Sequence, residues 1–449
     1  MRKTDNHEHA IVIGGSIAGL FTARILSDHF RRVTIIERDP VSDQPESRKG
    51  QPQTRHLHGI LEPARRFAIK YFPGVQEALL DGGAVSGDFG EVVRWHHFGG
   101  YKVNAAMDLS MIACSRPFFE WLVRRSLATI PNVTLCAETA VQSLIVNDDK
   151  TRVTGLRLTQ RGSPGSVPDE LEADLIVDAS GRGSAAPKWL DQLGYPAPTD
   201  EEVKIGFGYT TRIYRRDPAQ PARIYMIAPT PPDGKQGAYM FPIEGDRWIV
   251  TGGGFSGAHP PSDEAEFMKF LQNLPASDIY DVLKQAQPLS DIITYNFPAS
   301  RRRHYERIAR FPDGFLVLGD AVASFNPIYG QGMSSASMQA EILNDLLAGA
   351  DPQSNLHDIW RPFFTRVARV VDLPWQLAVG EDFRYPETEG HRPPGTNLIN
   401  RYVALVHRAT QRDPVIYRQF LKVMHLIAQP TSLMQPHIML RVLRANFLS

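Results

Sequence analysis

The chain of 449 residues carries 49 Lys+Arg against 49 Asp+Glu, and this formal neutrality excludes the basic excess of nucleic-acid binders and the acidic tail of a solvating protein. With 42% hydrophobic and 22% charged residues it has the composition of a globular protein, long enough for two or three domains and for a core that needs no staple. Its two cysteines, Cys114 and Cys136, exclude a disulfide framework and an all-cysteine zinc site and fit a reducing compartment.

Residues 1–9 are polar and lack the pattern of a signal peptide, and no stretch approaches the ~18 consecutive apolar residues of a membrane span, so a cytoplasmic protein is expected. Residues 10–13 (Ala-Ile-Val-Ile) read as a buried parallel strand. Gly14-Gly15-Ser16-Ile17-Ala18-Gly19 follows, then a helix over 20–29 and a second buried strand over 33–36 that ends in Glu37-Arg38. Such a βαβ unit binds dinucleotides. Gly14 permits the tight turn, a small residue at Ser16 lets backbone approach a pyrophosphate, and Gly19 lets helix and strand pack closely. The helix start at Ser16, Ile17 and Ala18 offers free N–H groups and the positive dipole end. Glu37, eighteen residues after Gly19, is placed to bind ribose hydroxyls, with Arg38 beside it.

Further along, His56 and His58 form a His-x-His pair on alternate positions. No nearby Cys or acid supplies a third ligand, so no metal is expected. Ser115-Arg116-Pro117 opens a helix, 132–137 reads as a strand, and 139–147 with 153–159 reads as a hairpin. Residues 173–178 form a buried strand that ends in Asp178 and the small-residue turn Ala179-Ser180-Gly181-Arg182-Gly183-Ser184. Strict alternation over 203–213 predicts one half-buried strand, and 223–228, 236–243 and 247–252 predict an antiparallel meander. Tyr225, Ile227, Met240, Phe241 and Trp248 from this meander, with Phe325, are candidate lining of an apolar pocket. Ser262 is expected to cap a helix carrying Asp263 and Glu264 in its first turn. Arg301-Arg302-Arg303 reads either as a phosphate or nicotinamide contact or as a solvated connection. The strand grammar returns at 314–321, ending in Gly319-Asp320, before Asn326-Pro327-Ile328-Tyr329-Gly330-Gln331-Gly332-Met333 and a helix over 334–347. Residues 350–449 are helical in pattern but interrupted by Pro374, Pro386, Pro393-Pro394 and Pro436. The apolar end, 433–448, fits a cap over the active site or a helix lying on a surface, and the two arginines Arg441 and Arg444 favour the cap.

The order of these three turns, with Arg116 at its helix start, resembles the class A FAD-dependent monooxygenases of the p-hydroxybenzoate-hydroxylase fold over residues 8 to 350. The segments 50–59 and 297–303 look like a subgroup that contains bacterial epoxidases of polyether biosynthesis, with a more distant similarity to squalene epoxidase. The resemblance implies an α/β (overall α+β) fold. Residues 8–85, 106–200 and 301–350 would build a Rossmann-like FAD domain. Residues 86–105 and 201–300 would form a mostly antiparallel substrate domain, and 351–449 a helical C-terminal cap. It implies FAD held by Gly14, Ser16, Ile17, Ala18, Gly19, Glu37, Arg38, Arg116, Asp178, Gly319, Asp320, Pro327, Gly330, Gln331, Gly332 and Met333, with Asp320 on the ribityl chain. NADPH or NADH would serve as reductant and O2 as co-substrate. The implied reaction runs through a flavin C4a-hydroperoxide that epoxidises a C=C bond of a lipophilic polyketide- or terpenoid-like molecule. Such a reaction needs no protein base, and no separate acid/base pair stands out. The alternatives are a hydroxylase of the same fold, a prenyl-type reductase or dehydrogenase, and a flavoprotein with a structural cofactor; a halogenase fits less well because the Trp-x-Trp-x-Ile-Pro block is absent. No nucleic-acid partner and no stable membrane insertion are expected. Weak surface contact through the C-terminus and the oligomeric state stay open.

Overall fold

A computed structural model describes residues 7–160, 169–350 and 356–448; the polar stretch at residues 1–6 lies outside them. Five short strands, buried on both faces except for the half-exposed edge strand Val133–Cys136 and the exposed start of Arg32–Ile36, form a parallel sheet in the order Phe315–Val317, Leu175–Asp178, His9–Ile13, Arg32–Ile36, Val133–Cys136. Continuous apolar runs suit such a doubly covered sheet. The chain winds one way from His9–Ile13 and returns on its other side, so the switch point lies between His9–Ile13 and Leu175–Asp178. The register pairs Ile13 with Asp178 and Asp178 with Val317, which brings the turns after all three strands to one edge. Helix Ile17–Leu26 starts three residues earlier than the apolar pattern suggests, and packs against helices Gly332–Gly349 and Arg116–Ala128.

The second large sheet has seven strands, ordered Ile293–Phe297, Phe207–Arg215, Arg247–Gly254, Gln236–Ile243, Ile224–Ile227, Val93–His97, Gly100–Tyr101. Only the pairing of Ile224–Ile227 with Val93–His97 is parallel. One face lies under helices Glu264–Gln272 and Asp278–Leu283, where Phe267, Leu271 and Ile279 join Met240, Trp248 and Val250 in a closed core. On the other face Trp95, Phe241 and Ile249 pack against Tyr417 and Leu421 of helix Pro414–Met424. The predicted hairpin forms as Thr139–Val146 and Val153–Gln160, with a third strand, Glu170–Glu172, beside it.

Several expectations need correction. The alternation over 203–213 spans two strands in two sheets. Val203 ends Thr199–Val203, Gly206 turns the chain at φ +60°, and Phe207–Arg215 begins anew, buried on both faces save near its end. Thr199–Val203 pairs with Ser300–His304, which also pairs with Ala323–Ser324, so this small sheet straddles the boundaries expected at 200 and 300. Asp263, not Ser262, caps Glu264–Gln272 by accepting the Glu266 N–H at 3.1 Å. Pro374 does not interrupt the helix. It sits inside Trp360–Asp382, between buried Val371 and Trp375, where core packing outweighs the lost hydrogen bond. The terminal helix Pro436–Phe447 lies beside Thr396–Ala409 at the surface rather than over the strand ends.

Candidate functional site

The turn after His9–Ile13 is shaped by contact limits. Gly14 has φ +106°, and a β-carbon on Gly19 would lie 1.8 Å from the Gly14 carbonyl oxygen, so strand and helix meet backbone to backbone. Gly14, Ser16 and Ala18 are partly exposed, whereas Gly15, Ile17 and Gly19 are buried. Ile17 puts its side chain into the core and can offer a ligand only backbone. Ser16 does not cap its own helix. Its hydroxyl donates to Glu120 Oε2 (3.0 Å) and accepts from Arg116 Nη2 (3.1 Å), which leaves the first N–H groups of the helix open to an anion.

Behind this turn runs a buried chain of alternating charges. Glu37 accepts the N–H groups of Gly15 and Asp39, each at 2.9 Å, and pairs with Arg48 at 2.9 Å. Arg48 donates to Glu120 Oε1 (2.7 Å) and to the Gly15 carbonyl (2.9 Å), and Glu120 pairs with Arg116 at 3.0 Å. Burial alone would raise the Glu120 carboxyl, but Arg116 and Arg48 outweigh it and hold the group below its ordinary value. Arg48 and Glu120 carry no sequence motif. The one signal for Glu120 is its place four residues after Arg116 on the same helix face. Arg38 is exposed.

At the neighbouring strand end, Asp178 is fully buried and serves its own turn, accepting the Ser180 N–H (2.9 Å) and the Ser184 hydroxyl (2.5 Å). Arg182 leaves this turn to bond the Ala299 carbonyl (2.5 Å) and Ser324 (2.7 Å). The arginine run is neither a solvated connection nor a free anion site. Arg301 pairs with Glu202 (2.6 Å), Arg302 with Asp372 (2.6 Å), and buried Arg303 donates to the Ala321 carbonyl (2.9 Å). Arg303 therefore steadies the turn that carries Asp320. Gln339 does the same from helix Gly332–Gly349, accepting the Gly319 N–H at 2.9 Å.

Asp320 opens to solvent in the crevice between these turns. The enclosing protein raises its carboxyl, opposed by the charges of Arg116 and Arg182. A β-carbon on Gly332 would stand 3.6 Å from Asp320 Oδ1, so the helix start and this carboxylate share one wall. Pro327 and Gly330 are partly exposed beside it, with Gly330 at φ +67°, while Met333 is buried in the core.

The sheet that roofs the crevice shows which side chains point inward. Thr211 pairs with Thr251, and Thr251 with Tyr239, in one cross-strand row; Tyr295, Tyr209 and Gly253 form the next. The segment after the short turn Pro52–Arg55 docks on these rows. His56 Nδ1 bonds Thr211 Oγ1 (2.8 Å), its ring meets Tyr209 edge-on at 4.3 Å, and the Leu57 N–H reaches Thr251 (3.3 Å). His58 Nδ1 donates to the His56 carbonyl (2.9 Å), which leaves its Nε2 as an acceptor. Burial, then Arg116, pushes His58 down to about 4, and burial, then His58, pushes His56 to about 3, so both are neutral at pH 7. The one three-group cluster of metal-ligating type among the described residues, Asp313, His357 and Asp358, contains neither.

The six expected pocket residues are not at the crevice. Tyr225, Ile227, Met240 and Trp248 belong to the opposite pleat, under the two helices. Phe241 lies on the inward face but is packed into the cluster around Phe89 and Trp95. Phe325 is buried in the core, 6.4 Å from the Trp375 ring. Alternation identifies two faces without saying which is which. One further feature carries no motif: fully buried Asp382 accepts from Asn326 Nδ2 (3.0 Å) and from the Tyr329 hydroxyl (2.9 Å), while its Oδ2 has no partner among the described residues. Burial lifts this carboxyl to about 7 against those two hydrogen bonds.

No family model matches the chain. It is 32% identical over 435 residues to Protein Rv3254 of Mycobacterium tuberculosis, covering 92% of this chain and 89% of that protein. Over 390 residues it is 25% identical to violacein synthase of Chromobacterium violaceum, covering 81% and 82% respectively. It superposes on PqsL, a probable FAD-dependent monooxygenase from Pseudomonas aeruginosa, with a TM-score of 0.61 at 16% identity, over 84% of this chain and 98% of that one. It superposes on the flavin-dependent brominase Bmp2 with a TM-score of 0.60 at 15% identity, over 97% and 98%. Structural likeness at this identity speaks for the fold alone. The chain belongs to the family of Protein Rv3254, and its fold is that of the class A FAD-dependent monooxygenases.

Proposed function

We propose that this protein is an FAD-dependent monooxygenase that epoxidises a C=C bond of a lipophilic, polyketide- or terpenoid-like molecule. The observation that carries the reading is the convergence of three strand ends of one parallel sheet, with Asp320 open between them, beneath a roof of Tyr209, Tyr239, Tyr295 and neutral histidines. The crevice suits FAD on its own terms. Gly14 and Gly19 let strand, turn and helix meet backbone to backbone, which sets the helix start at the crevice, and two buried atoms there, Arg116 Nε and Gln331 Oε1, lack partners among the described residues. The open N–H groups at Ser16–Gly19 would hold the pyrophosphate, Glu37 the adenosine ribose, and Asp320 with Arg116 the remainder of the chain. When bound and reduced by NADPH or NADH, FAD supplies activation of O2 and delivery of one oxygen atom.

The protein's own part is to orient the alkene and exclude water. The neutral roof supports an uncharged substrate. Burial raises the Tyr209 and Tyr239 hydroxyls and lowers both histidines, so none of them offers a strong base at neutral pH, and an isolated alkene asks for none. The second reading, a hydroxylase, is favoured by one observation: Asp382 has a carboxyl near 7 and accepts from the Tyr329 hydroxyl, a pair able to take a proton.

The test is turnover of purified flavoprotein with candidate polyenes under 18O2, following NADPH and O2 consumption. One 18O atom in an epoxide supports the reading; anaerobic turnover or a product without 18O overturns it. Asp320→Ala should keep the fold and weaken FAD binding about ten- to a hundredfold, the cost of losing a charged hydrogen-bonding group. Undiminished flavin content would remove Asp320 from the site.

A further inference from the structure

The neutral total of the chain hides a strong asymmetry. Residues 391–449 hold eight Lys and Arg against a single acid, Asp413, so the excess of acid lies in the rest of the molecule. The same region holds most of the exposed apolar surface. Among the described residues fourteen large hydrophobic side chains are exposed, and ten of them lie from Leu398 onward. Helix Pro436–Phe447 buries only the narrow stripe of Ile438 and Val442 and turns Met439, Leu440, Leu443 and Phe447 outward, with Phe447 67% and Leu440 68% exposed. At 100° per residue these four span one arc of about 100°, and Arg444 borders it. Helix Thr396–Ala409 runs alongside in the same direction. The Tyr402 hydroxyl donates to the Leu433 carbonyl (2.6 Å), and Asn446 Nδ2 donates to the Leu405 carbonyl (3.0 Å). Its outer side adds Leu398, Ile399, Arg401 and Arg408. Arg401, Arg408 and Arg444 have no acidic partner among the described residues.

We propose that the C-terminal helices form a docking surface for an anionic lipid bilayer, lying in its interface. Apolar side chains next to unpaired arginines are the pattern of interfacial helices. No helix among the described residues is long and apolar enough to cross a membrane, so contact rather than spanning is implied. A second copy of the same surface is disfavoured by charge, since two strongly basic faces would meet. The reading is independent of the substrate chemistry proposed above.

The experiment is co-sedimentation of the full-length flavoprotein with phosphatidylcholine vesicles and with vesicles that also contain phosphatidylglycerol. Binding is expected only to the anionic vesicles and should be released by salt. Arg401→Glu and Arg444→Glu should each weaken it roughly fivefold or more, and the double variant Leu440→Glu/Phe447→Glu at least as much. All these positions are exposed, so an unchanged melting temperature and flavin content serve as the folding control. Failure to bind anionic vesicles, or variants that bind like wild type, overturns the proposal. It is equally overturned if sedimentation velocity shows a dimer that the same variants dissociate, because the face is then an interface between copies.

Discussion

In the parallel sheet the central strands are buried on both faces, so the candidate residues it positions, Gly14, Asp178 and Asp320, sit where strands stop. In the seven-stranded sheet the strands run past the crevice, and what matters is which pleat a residue occupies. Tyr239 and Met240 are neighbours in sequence, yet one shares a row with Thr251 and the other lies beneath a helix. The first sheet therefore shapes its candidate site through backbone geometry, which tolerates almost no substitution. The second divides its residues into a face under helices and a face towards the crevice, and the proposed function expects the two to separate cleanly under mutation.

The largest expected effect tests the first half of that contrast. In Gly19→Val the β-carbon would meet the Gly14 carbonyl oxygen, a backbone atom that no rotamer change can move. We expect more than about 4 kcal/mol of destabilisation and loss of flavin, measured by urea unfolding and the flavin-to-protein absorbance ratio. Gly59→Ala is the control: nothing lies within 4 Å of its added carbon, and stability should stay near wild type. If Gly19→Val retained flavin, the close approach of strand and helix would not be what shapes the site.

Next comes the helix-covered pleat. Trp248 is fully buried with Phe267 and Leu271, so Trp248→Ala should cost about 3–4 kcal/mol. It should leave KM and product regiochemistry unchanged in whatever protein stays folded. A changed product distribution would mean that this pleat faces the crevice after all.

The contrast also accounts for what the sequence made legible. A dinucleotide turn must place glycine at Gly14 and Gly19 because of positive φ and contact distance, so those letters state the geometry directly. The same holds for Gly319-Asp320 and Gly330-Gln331-Gly332. The pleat of the roof was not legible, because alternation carries no sign, and the assignments of Tyr225, Ile227, Met240 and Trp248 failed for that reason, whereas Phe241 and Phe325 failed because each is packed into a core cluster. Arg48 and Glu120 were hidden because ion pairs between positions 72 residues apart leave no local pattern. Pro374 misled because local propensity yields to a buried helix face. The C-terminal charge excess was present in the letters throughout, but its meaning depended on knowing which apolar side chains remain outside.

A smaller effect, of a few kcal/mol at most, concerns Asp382, which accepts from Asn326 and Tyr329 in the turn before helix Gly332–Gly349. Its folded carboxyl is raised from the ordinary range to about 7, mainly by burial. A raised carboxyl favours the protonated form in the fold, so its contribution is full below pH 4, declines as pH rises towards 7, and is flat above that. Asp382→Asn can still accept from Asn326 and Tyr329 and has no proton to lose. The stability difference between wild type and Asp382→Asn should therefore widen in favour of the variant from pH 4 to 7, read from urea midpoints across that range. A difference independent of pH would show that Asp382 does not titrate there. If the hydroxylase reading holds, the variant should also lose the acidic limb of the pH–rate profile, the rise of rate as the carboxyl ionises near pH 7, which an epoxidase would not show.

The smallest structural effect and the sharpest functional one should coincide at Tyr239. Its side chain lies on the inward pleat opposite Thr251, is partly open, and its hydroxyl has no hydrogen-bond partner among the described residues. Removing that hydroxyl leaves no buried group unsatisfied, so Tyr239→Phe should change stability by less than about 0.5 kcal/mol. If the inward pleat contacts substrate, KM or the ratio of oxygenated product to NADPH consumed should shift while flavin content stays constant. Unchanged kinetics in Tyr239→Phe and in Tyr209→Phe together would detach the roof from the reaction. The reactive face would then be confined, as in the parallel sheet, to the turns at the strand ends.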